Sequence, residues 1–472
     1  MTAYALAALS GLLLSMSYAM HPLWWAAWLA PAPLLFATLR VPASHRRWIT
    51  LLAGALGGIS SFAYHLTVGS WFSALLILFL VALAWSSAIR LAVGFAEKRQ
   101  FSLALLSVPV VWAAIETLLI HFSPHGSAGS IAYSQMNVLP VIQVASLGGV
   151  PAIAFVVLLS GSLLGLLLGT EFETDRREKL VASIAAITVI GAILAFGFIR
   201  LGEADRASHP NIALISTDSA DRRQTNLVGF LGVYGDAIER SANSGSIVVL
   251  PESVLDLPEA QAEIAARELA EKASATGSTI VVGMSVEEAD RVTGRALIAH
   301  PDGRFHWYVK QHLIPGIESE LTAGSDPLVT QVGSARTGIA ICKDMHFPTL
   351  GREYAQQGSQ LMLVPANDFE VDDWLTSRMT VLRGVESGFS IARAARGGGI
   401  SFVSDRFGRV LSERRSNAAL GILQSEVPIP LAAQTTYASV GDLFGWICVL
   451  VWAAFIALRL GASGRRAAHQ HS

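Results

Sequence analysis

Long apolar runs constrain this chain most. Stretches long enough to cross a bilayer recur at about 3–19, 22–39, 50–67, 71–93, 102–121, 138–169, 180–200 and 437–460. Only 15% of the 472 residues are charged, against about a quarter in soluble domains. The basic residues between the runs alternate. Arg40, Arg46 and Arg47 follow the second run, and Arg90, Lys98 and Arg99 close the fourth. Arg176, Arg177 and Lys179 separate the sixth from the seventh, and Arg459, Arg465 and Arg466 follow the last. The loops near 20–22, 63–71 and 122–137 carry no Lys or Arg. Positive loops stay on the cytoplasmic side, so eight spans are expected with both termini in the cytoplasm and the segment from about 202 to 436 outside it. No basic stretch precedes the first run and more spans follow it, so the start does not read as a cleavable signal.

The outer segment reads as an α/β domain. Asn211–Thr217, Ser246–Pro251 and Thr279–Ser285 are β-branched apolar strands, and helical periodicity appears near Arg222–Ser241 and over Pro258–Ala275. Ala296–His300 and Phe305–Lys310 flank Pro301-Asp302-Gly303-Arg304 as a hairpin. Thr337–Cys342 and Gln360–Val364 read as strands, Leu350–Gln357 and Trp374–Glu386 as helices, and Ile400–Ser404 with Val410–Ser412 as a second hairpin. Hairpins interrupting a strand–helix alternation point to a two-sheet α/β sandwich rather than a plain doubly wound sheet. The expected division is therefore 1–201 as a seven-span bundle, 202–436 as the outer domain, and 437–472 as the eighth span and its tail.

Three ionisable residues stand where apolar strands end: Glu252 after Val249-Leu250-Pro251, Lys310 after Trp307-Tyr308-Val309, and Cys342 after Ile339-Ala340-Ile341. Acyl transfer needs a nucleophile, a base for its proton and a positive group for the oxyanion, and these residue types fill those roles. A nearby cation lowers a thiol's pKa, so Lys310 is expected to favour the thiolate while Glu252 accepts the proton during attack. Each is also an ordinary residue at a strand boundary, and a lone cysteine is commonly a small buried hydrophobe. The two cysteines, Cys342 and Cys448, lie in different segments and form no disulfide framework. The twelve histidines show no metal-ligand spacing, so no metal and no cofactor is expected. A net charge of −2 and the lack of a basic stripe with aromatic platforms give no sign of nucleic acid. Glu116 lies within the fifth run, where an ionisable residue is a functional candidate; a helix–helix hydrogen bond accounts for it equally well.

These residues resemble a known family. The outer segment is similar to the nitrilase (carbon–nitrogen hydrolase) superfamily, whose site is a Glu–Lys–Cys triad in that chain order. The whole chain resembles the apolipoprotein N-acyltransferase family, the membrane branch. Ser17–Trp25 resembles that family's Phe-x-Pro-x-x-x-Trp turn, and Ala132-Tyr133-Ser134-Gln135 its Gly-Tyr-Ser-Gln. Lys310-Gln311-His312-Leu313-Ile314-Pro315 resembles Lys-x-His-Leu-Val-Pro, with Glu318 in the place of a second glutamate. Ile341-Cys342 and Arg383-Gly384-Val385-Glu386 match Ile-Cys and Arg-Ala-x-Glu. The resemblance implies a bundle of eight spans carrying an αββα nitrilase-like sandwich outside the inner membrane of a bacterium. It implies a monomer with catalytic Glu252, Lys310 and Cys342, supported by Glu318, Lys343 and Asp344. The implied reaction moves an acyl chain from a phospholipid, through a cysteine thioester, to the α-amine of an apolipoprotein's diacylglyceryl-cysteine.

The chain departs from the family at several positions. Tyr-Glu after the nucleophile is Lys343-Asp344, and Asn-Asp-Ala-Trp-Phe-Gly survives only as Asn367-Asp368. The Gln-His before the next helix is Leu375-Thr376, and the Asn in the loop after Glu386 is Arg396. Asn367, Asp368 and Trp374 remain as candidate substrate-binding residues, with Trp374 placed either to replace a lost aromatic or to pack on the domain. The changes leave open a membrane-tethered amidase using the same triad.

Overall fold

The computed structural model describes residues 2–170, 176–203, 208–217, 223–417, 419–431 and 434–470. The chain divides into two compact units: Met1–Phe122, Gly129–Ile199 and Asp442–Ser472 form the first, and Ser123–Ala128 with Arg200–Gly441 form the second.

The first unit is helical: α1 (Thr2–Ser17), α2 (Trp24–Leu29), α3 (Pro31–Arg40), α4 (Ala43–Gly57), α5 (Ile59–Val68), α6 (Trp71–Ala96), α7 (Phe101–Phe122), α8 (Leu139–Ile142), α9 (Ala145–Gly169), α10 (Arg176–Leu201) and a C-terminal helix, Leu443–Gln470. Among the described residues α6, α7, α9, α10 and Leu443–Leu460 are long and apolar enough to cross a membrane, and α4 with α5, bent by 42°, counts as a sixth if taken as one span. The run at 22–39 is two short helices, because Pro31 opens a new helix at its first position. The 16 residues of α1 reach only about 24 Å at ~1.5 Å per residue. Glu116, in α7, accepts bonds from Ser130 Oγ (2.8 Å) and the Ile131 amide (3.0 Å), capping a 3-10 turn over Ile131–Gln135. Gln135 in that turn accepts from Trp28 Nε1 (2.8 Å) and donates to the Trp24 carbonyl (2.9 Å), so the Tyr-Ser-Gln motif fastens α2.

The second unit holds two sheets. The first contains β1 (Asn211–Ser216), β2 (Ile247–Val249), β3 (Leu255–Pro258), β4 (Thr279–Glu287), β5 (Val292–Ala299) and β6 (Phe305–Val309). The second contains β7 (Leu328–Val332), β8 (Ala335–Ile339), β9 (Leu361–Asn367), β10 (Ser390–Arg396), β11 (Ile400–Ser404) and β12 (Val410–Arg415); β13 (Gly421–Glu426) returns to the edge of the first. The orders are β13-β1-β2-β4-β5-β6, with β3 also on β4, and β12-β11-β10-β9-β8-β7. The central pairings β1–β2, β2–β4, β8–β9 and β9–β10 are parallel. Side chains alternate along a strand, and β4 uses both faces. Val281 joins Leu214, Val249 and Ile298 against Ile339, Leu363 and Ala392 of the other sheet. Ile280 and Val282 face the opposite way, into a cluster with Phe230 and Ile238 of α11 (Leu227–Ser241) and Ala265 and Leu269 of α12 (Glu259–Thr276). The expected start of α11 at Arg222 lies outside the described residues. Three more helices, α13 (Pro348–Gln356), α14 (Asp373–Ser387) and α15 (Thr436–Val440), complete the unit.

Ser123–Ala128 follows α7 in the chain yet groups with these sheets. Ser127 donates twice to the carbonyl of His346, from its amide at 2.9 Å and from Oγ at 2.7 Å. Gly126 precedes it at φ +58, and a Cβ there would lie 2.6 Å from the same oxygen. Only glycine satisfies both demands.

Candidate active site

Glu252, Lys310 and Cys342 all lie just beyond strand ends rather than on them. β2 stops at Val249, β6 at Val309 and β8 at Ile339. In sheets with parallel strands, the space past the carboxyl ends is where ligands bind.

Lys310 is the hub. Its amide donates to the Gly294 carbonyl (2.9 Å) and its carbonyl accepts from Gly324 (2.8 Å), so the backbone is held on both sides. The side chain is fully buried, and Nζ donates to Glu252 Oε1 at 2.8 Å and Glu318 Oε1 at 2.6 Å. The other oxygen of Glu318 accepts the Ile314 amide at 2.7 Å. Burial opposes the charge on Lys310, but Glu252, Cys342 and Glu318 outweigh it and the ammonium stays protonated well past neutrality. Burial pushes the Glu252 carboxyl above the usual range, with Lys310 pulling it back and Glu318 adding to the rise. The turn bearing Glu252 fits because residue 283 is glycine: a Cβ there would stand 2.5 Å from the Glu252 Cα.

Cys342 opens a 3-10 turn, Cys342–His346, at φ +44, a conformation that costs a side-chain-bearing residue about 1–3 kcal/mol and persists only when its surroundings fix it. Asp344 does the fixing. Its carboxylate, fully buried, accepts from the Ile341 amide (3.0 Å), Tyr308 Oη (2.8 Å), and the Gln311 and His312 amides (3.2 and 2.8 Å). The turn of Cys342 is thereby tied to the segment leaving Lys310. The thiol, on a residue 5% exposed, donates to the Asn367 carbonyl at 3.5 Å and lies 4.0 Å from Asp368 Oδ1. Burial, then the charge of Glu252, raise its pKa, and Lys310 offsets only part of that rise. Desolvation outweighs the cation here, so Cys342 is held as a thiol rather than as the thiolate expected from Lys310 alone.

The remaining candidates divide. Asp368 is buried and takes both ends of the Arg393 guanidinium, at 2.8 and 2.5 Å; Arg393 also donates to the Ile400 carbonyl at 3.0 Å. The Asn367 residue is exposed and meets the thiol through its main chain. Trp374 sits half-buried in the first turn of α14 with the Arg378 guanidinium 5.6 Å from its ring centre, a packing position. Lys343 is buried, donates to the Leu313 carbonyl at 2.8 Å, and is lowered to about 8, chiefly by burial. Tyr308, His312 and Arg393 went unrecognised from sequence. A polar residue at an inward position of a strand was the available signal for Tyr308 and Arg393. Among the described residues no group of three His, Cys, Asp or Glu forms a metal site.

A carbon–nitrogen hydrolase domain is the class this unit defines: the family model described as Carbon-nitrogen hydrolase matches residues 213–437. A second model, described as Apolipoprotein N-acyltransferase N-terminal domain, matches residues 10–163. Apolipoprotein N-acyltransferase of Geobacter metallireducens is 26% identical over 96% of this chain and 95% of its own length. A hydrolase of Mycobacterium tuberculosis is 29% identical over 31% of this chain and 58% of its own. A solved amidase from Nesterenkonia sp. aligns with 48% of this chain and 93% of that one at 25% identity and a TM-score of 0.42. Along 96% of its length the chain is similar to an apolipoprotein N-acyltransferase, and its two parts match the N-terminal model of that family and the carbon–nitrogen hydrolase model. It is an enzyme with an N-acyltransferase or hydrolase-like activity, and its apolar helices are those of a membrane protein.

Proposed function

We propose that the enzyme transfers an acyl chain from a phospholipid, through a thioester on Cys342, to the α-amine of a lipoprotein's diacylglyceryl-cysteine. The observation that carries this reading is the buried ammonium of Lys310 held between two carboxylates, within electrostatic reach of a thiol that burial keeps protonated. Glu252 takes the Sγ proton as sulfur attacks the ester carbonyl. Lys310 and the backbone N–H after Cys342 receive the oxyanion. The C–O bond breaks, protonated Glu252 returns the proton to the leaving lysophospholipid oxygen, and the thioester remains. In the second half the amine attacks, Glu252 takes its proton, the C–S bond breaks and the thiol is re-formed. Glu318 holds Lys310 in place throughout.

The same reading includes eight spans in an inner membrane, an αββα domain spanning 202–436 on its outer side, cytoplasmic termini and a monomer. The alternation of basic loops supports the orientation. Labelling of single introduced cysteines from each side of sealed vesicles tests it, and a reactive site in the 122–137 loop reached only from the cytoplasm overturns it.

With alkyne-labelled phospholipid, wild-type protein should carry hydroxylamine-sensitive label, and Cys342→Ala should carry none. A diacylglyceryl-cysteine peptide should then discharge it as N-acyl peptide. Release only as free fatty acid selects the second reading, a membrane-tethered amidase or hydrolase, which the buried cation Lys343 in the family's aromatic position favours.

A further inference from the structure

We propose that Arg396 is a positioning residue for the base, holding the turn that carries Glu252 at the thiol; the assignment of Glu252 as base rests on the function proposed above. Ser253, the residue after Glu252, lies at φ +50. A residue with a Cβ occupies that region only under constraint, so something must restrain the turn. The Glu252 amide reaches the Ala366 carbonyl at a long 3.3 Å, and Ser285 Oγ donates to Ser253 Oγ at 3.1 Å. Gly283 adds two backbone bonds, its amide to the Pro251 carbonyl at 3.2 Å and its carbonyl to the Val254 amide at 3.1 Å. The shortest bond to the turn from Pro251 to Val254, and a charge-assisted one, is Arg396 Nη1 to the Ser253 carbonyl, at 2.7 Å.

That bond joins the two sheets. Arg396 is the last residue of β10 in the second sheet, and Ser253 follows β2 of the first. The carbonyl of Arg396 accepts the Asp368 amide at 3.1 Å and the Gly399 amide at 3.2 Å, and Asp368 Oδ1 lies 4.0 Å from the thiol sulfur. One residue therefore grips the turn of the base through its side chain and the neighbour of the nucleophile through its main chain. Arg396 as a residue is 8% exposed, and burying a cation is costly unless it is hydrogen-bonded. An asparagine, which the family resemblance places here, is too short to reach Ser253 by the same route.

The test uses the full chain in detergent micelles and two readouts. The first is the single-turnover rate of thioester formation with alkynyl phospholipid. The second is alkylation of Cys342 by a small electrophile, which needs the base but no lipid. Arg396→Gln should slow thioester formation at saturating lipid roughly 10- to 100-fold, the scale of a small misplacement of a reacting group. Its half-saturating lipid concentration should stay within about twofold, since lipid binding is untouched. Arg396→Lys, whose ammonium can donate to the same carbonyl, should regain much of the rate. Ser253→Gly, which removes the strain, should restore part of it in the Arg396→Gln background. An unchanged rate in Arg396→Gln overturns the proposal. So does equal impairment of Arg396→Gln, Arg396→Lys and the double variant with a matching loss of thermal stability, because that is a folding defect alone; if Arg396→Gln does not fold, a failure of Arg396→Lys to keep the wild-type alkylation rate has the same force. Slowed alkylation in a protein whose wild type makes no lipid thioester would leave the role of Arg396 standing and remove the lipid donor.

Discussion

Glu252→Gln separates the base from the rest of the site. The amide oxygen can stay 2.8 Å from Lys310 Nζ, where Glu252 Oε1 now sits, and Glu318 remains at 2.6 Å to neutralise the ammonium. The fold should therefore hold, since a hydrogen bond to a charged group contributes about 1.5–3 kcal/mol and one desolvated carboxylate is removed in exchange. The glutamine cannot accept the thiol proton. A positioned general base contributes about 10²–10⁴ in rate, or roughly 2.7–5.4 kcal/mol at ~1.36 kcal/mol per tenfold. The pH profile carries the sharper signature. Burial raises the Glu252 carboxyl, so wild-type activity should be present above that raised pKa and lost as pH falls through it, at a pH above the ordinary carboxylate range. The variant should show no break at that pKa. Its rate should climb about tenfold per pH unit across neutrality, because burial holds the thiol protonated and thiolate must come from hydroxide. Single-turnover thioester formation with alkynyl phospholipid, read from about pH 5 to about pH 9, measures both. A variant within about threefold of wild type at neutral pH, or one that kept the wild-type break and the plateau above it, would refute the base assignment.

Three other substitutions test the supports. Lys310→Met leaves buried Glu252 and half-buried Glu318 without their cation and should cost about 3–5 kcal/mol as well as all thioester; thermal unfolding and label retention check this. Asp368→Asn strips Arg393 of its bidentate partner, with a comparable loss of about 3–5 kcal/mol and a lower melting temperature. Replacing both members by apolar residues of similar size should recover most of that loss. Gly126→Ala forces a Cβ against the His346 carbonyl at positive φ; a penalty of about 1–3 kcal/mol should appear in melting, together with slower acylation.

The parts of the fold that sequence revealed were those where one period dominates. Strand β4 could be read from Thr279 onward because its residues are apolar and β-branched, and α12 because its alanines recur at helical spacing. Glu252, Lys310 and Cys342 stood out because each interrupts an apolar run. Strand β10 did not, since Arg393 and Arg396 break its alternation while both point into the protein. Edge strand β13, with Gln424 and Glu426 exposed, carries too little apolar signal. The strand expected to run to Cys342 stops three residues earlier, at Ile339, and nothing in the residue type announces a cysteine at φ +44. The state of the thiol depended on burial, which a list of neighbours along the chain does not contain.

The grip of Ser127 on His346 spans 219 positions of sequence, which bears on any attempt to study the hydrolase portion in isolation. A polypeptide starting at residue 200 would carry Glu252, Lys310, Glu318 and Cys342, yet the carbonyl of His346, the last residue of the Cys342 turn, would lose both Ser127 donors. Such a piece should fold with a slack Cys342 loop and react sluggishly. Supplying the hexapeptide Ser123–Ala128 in trans, or grafting it by a short tether, should tighten it again.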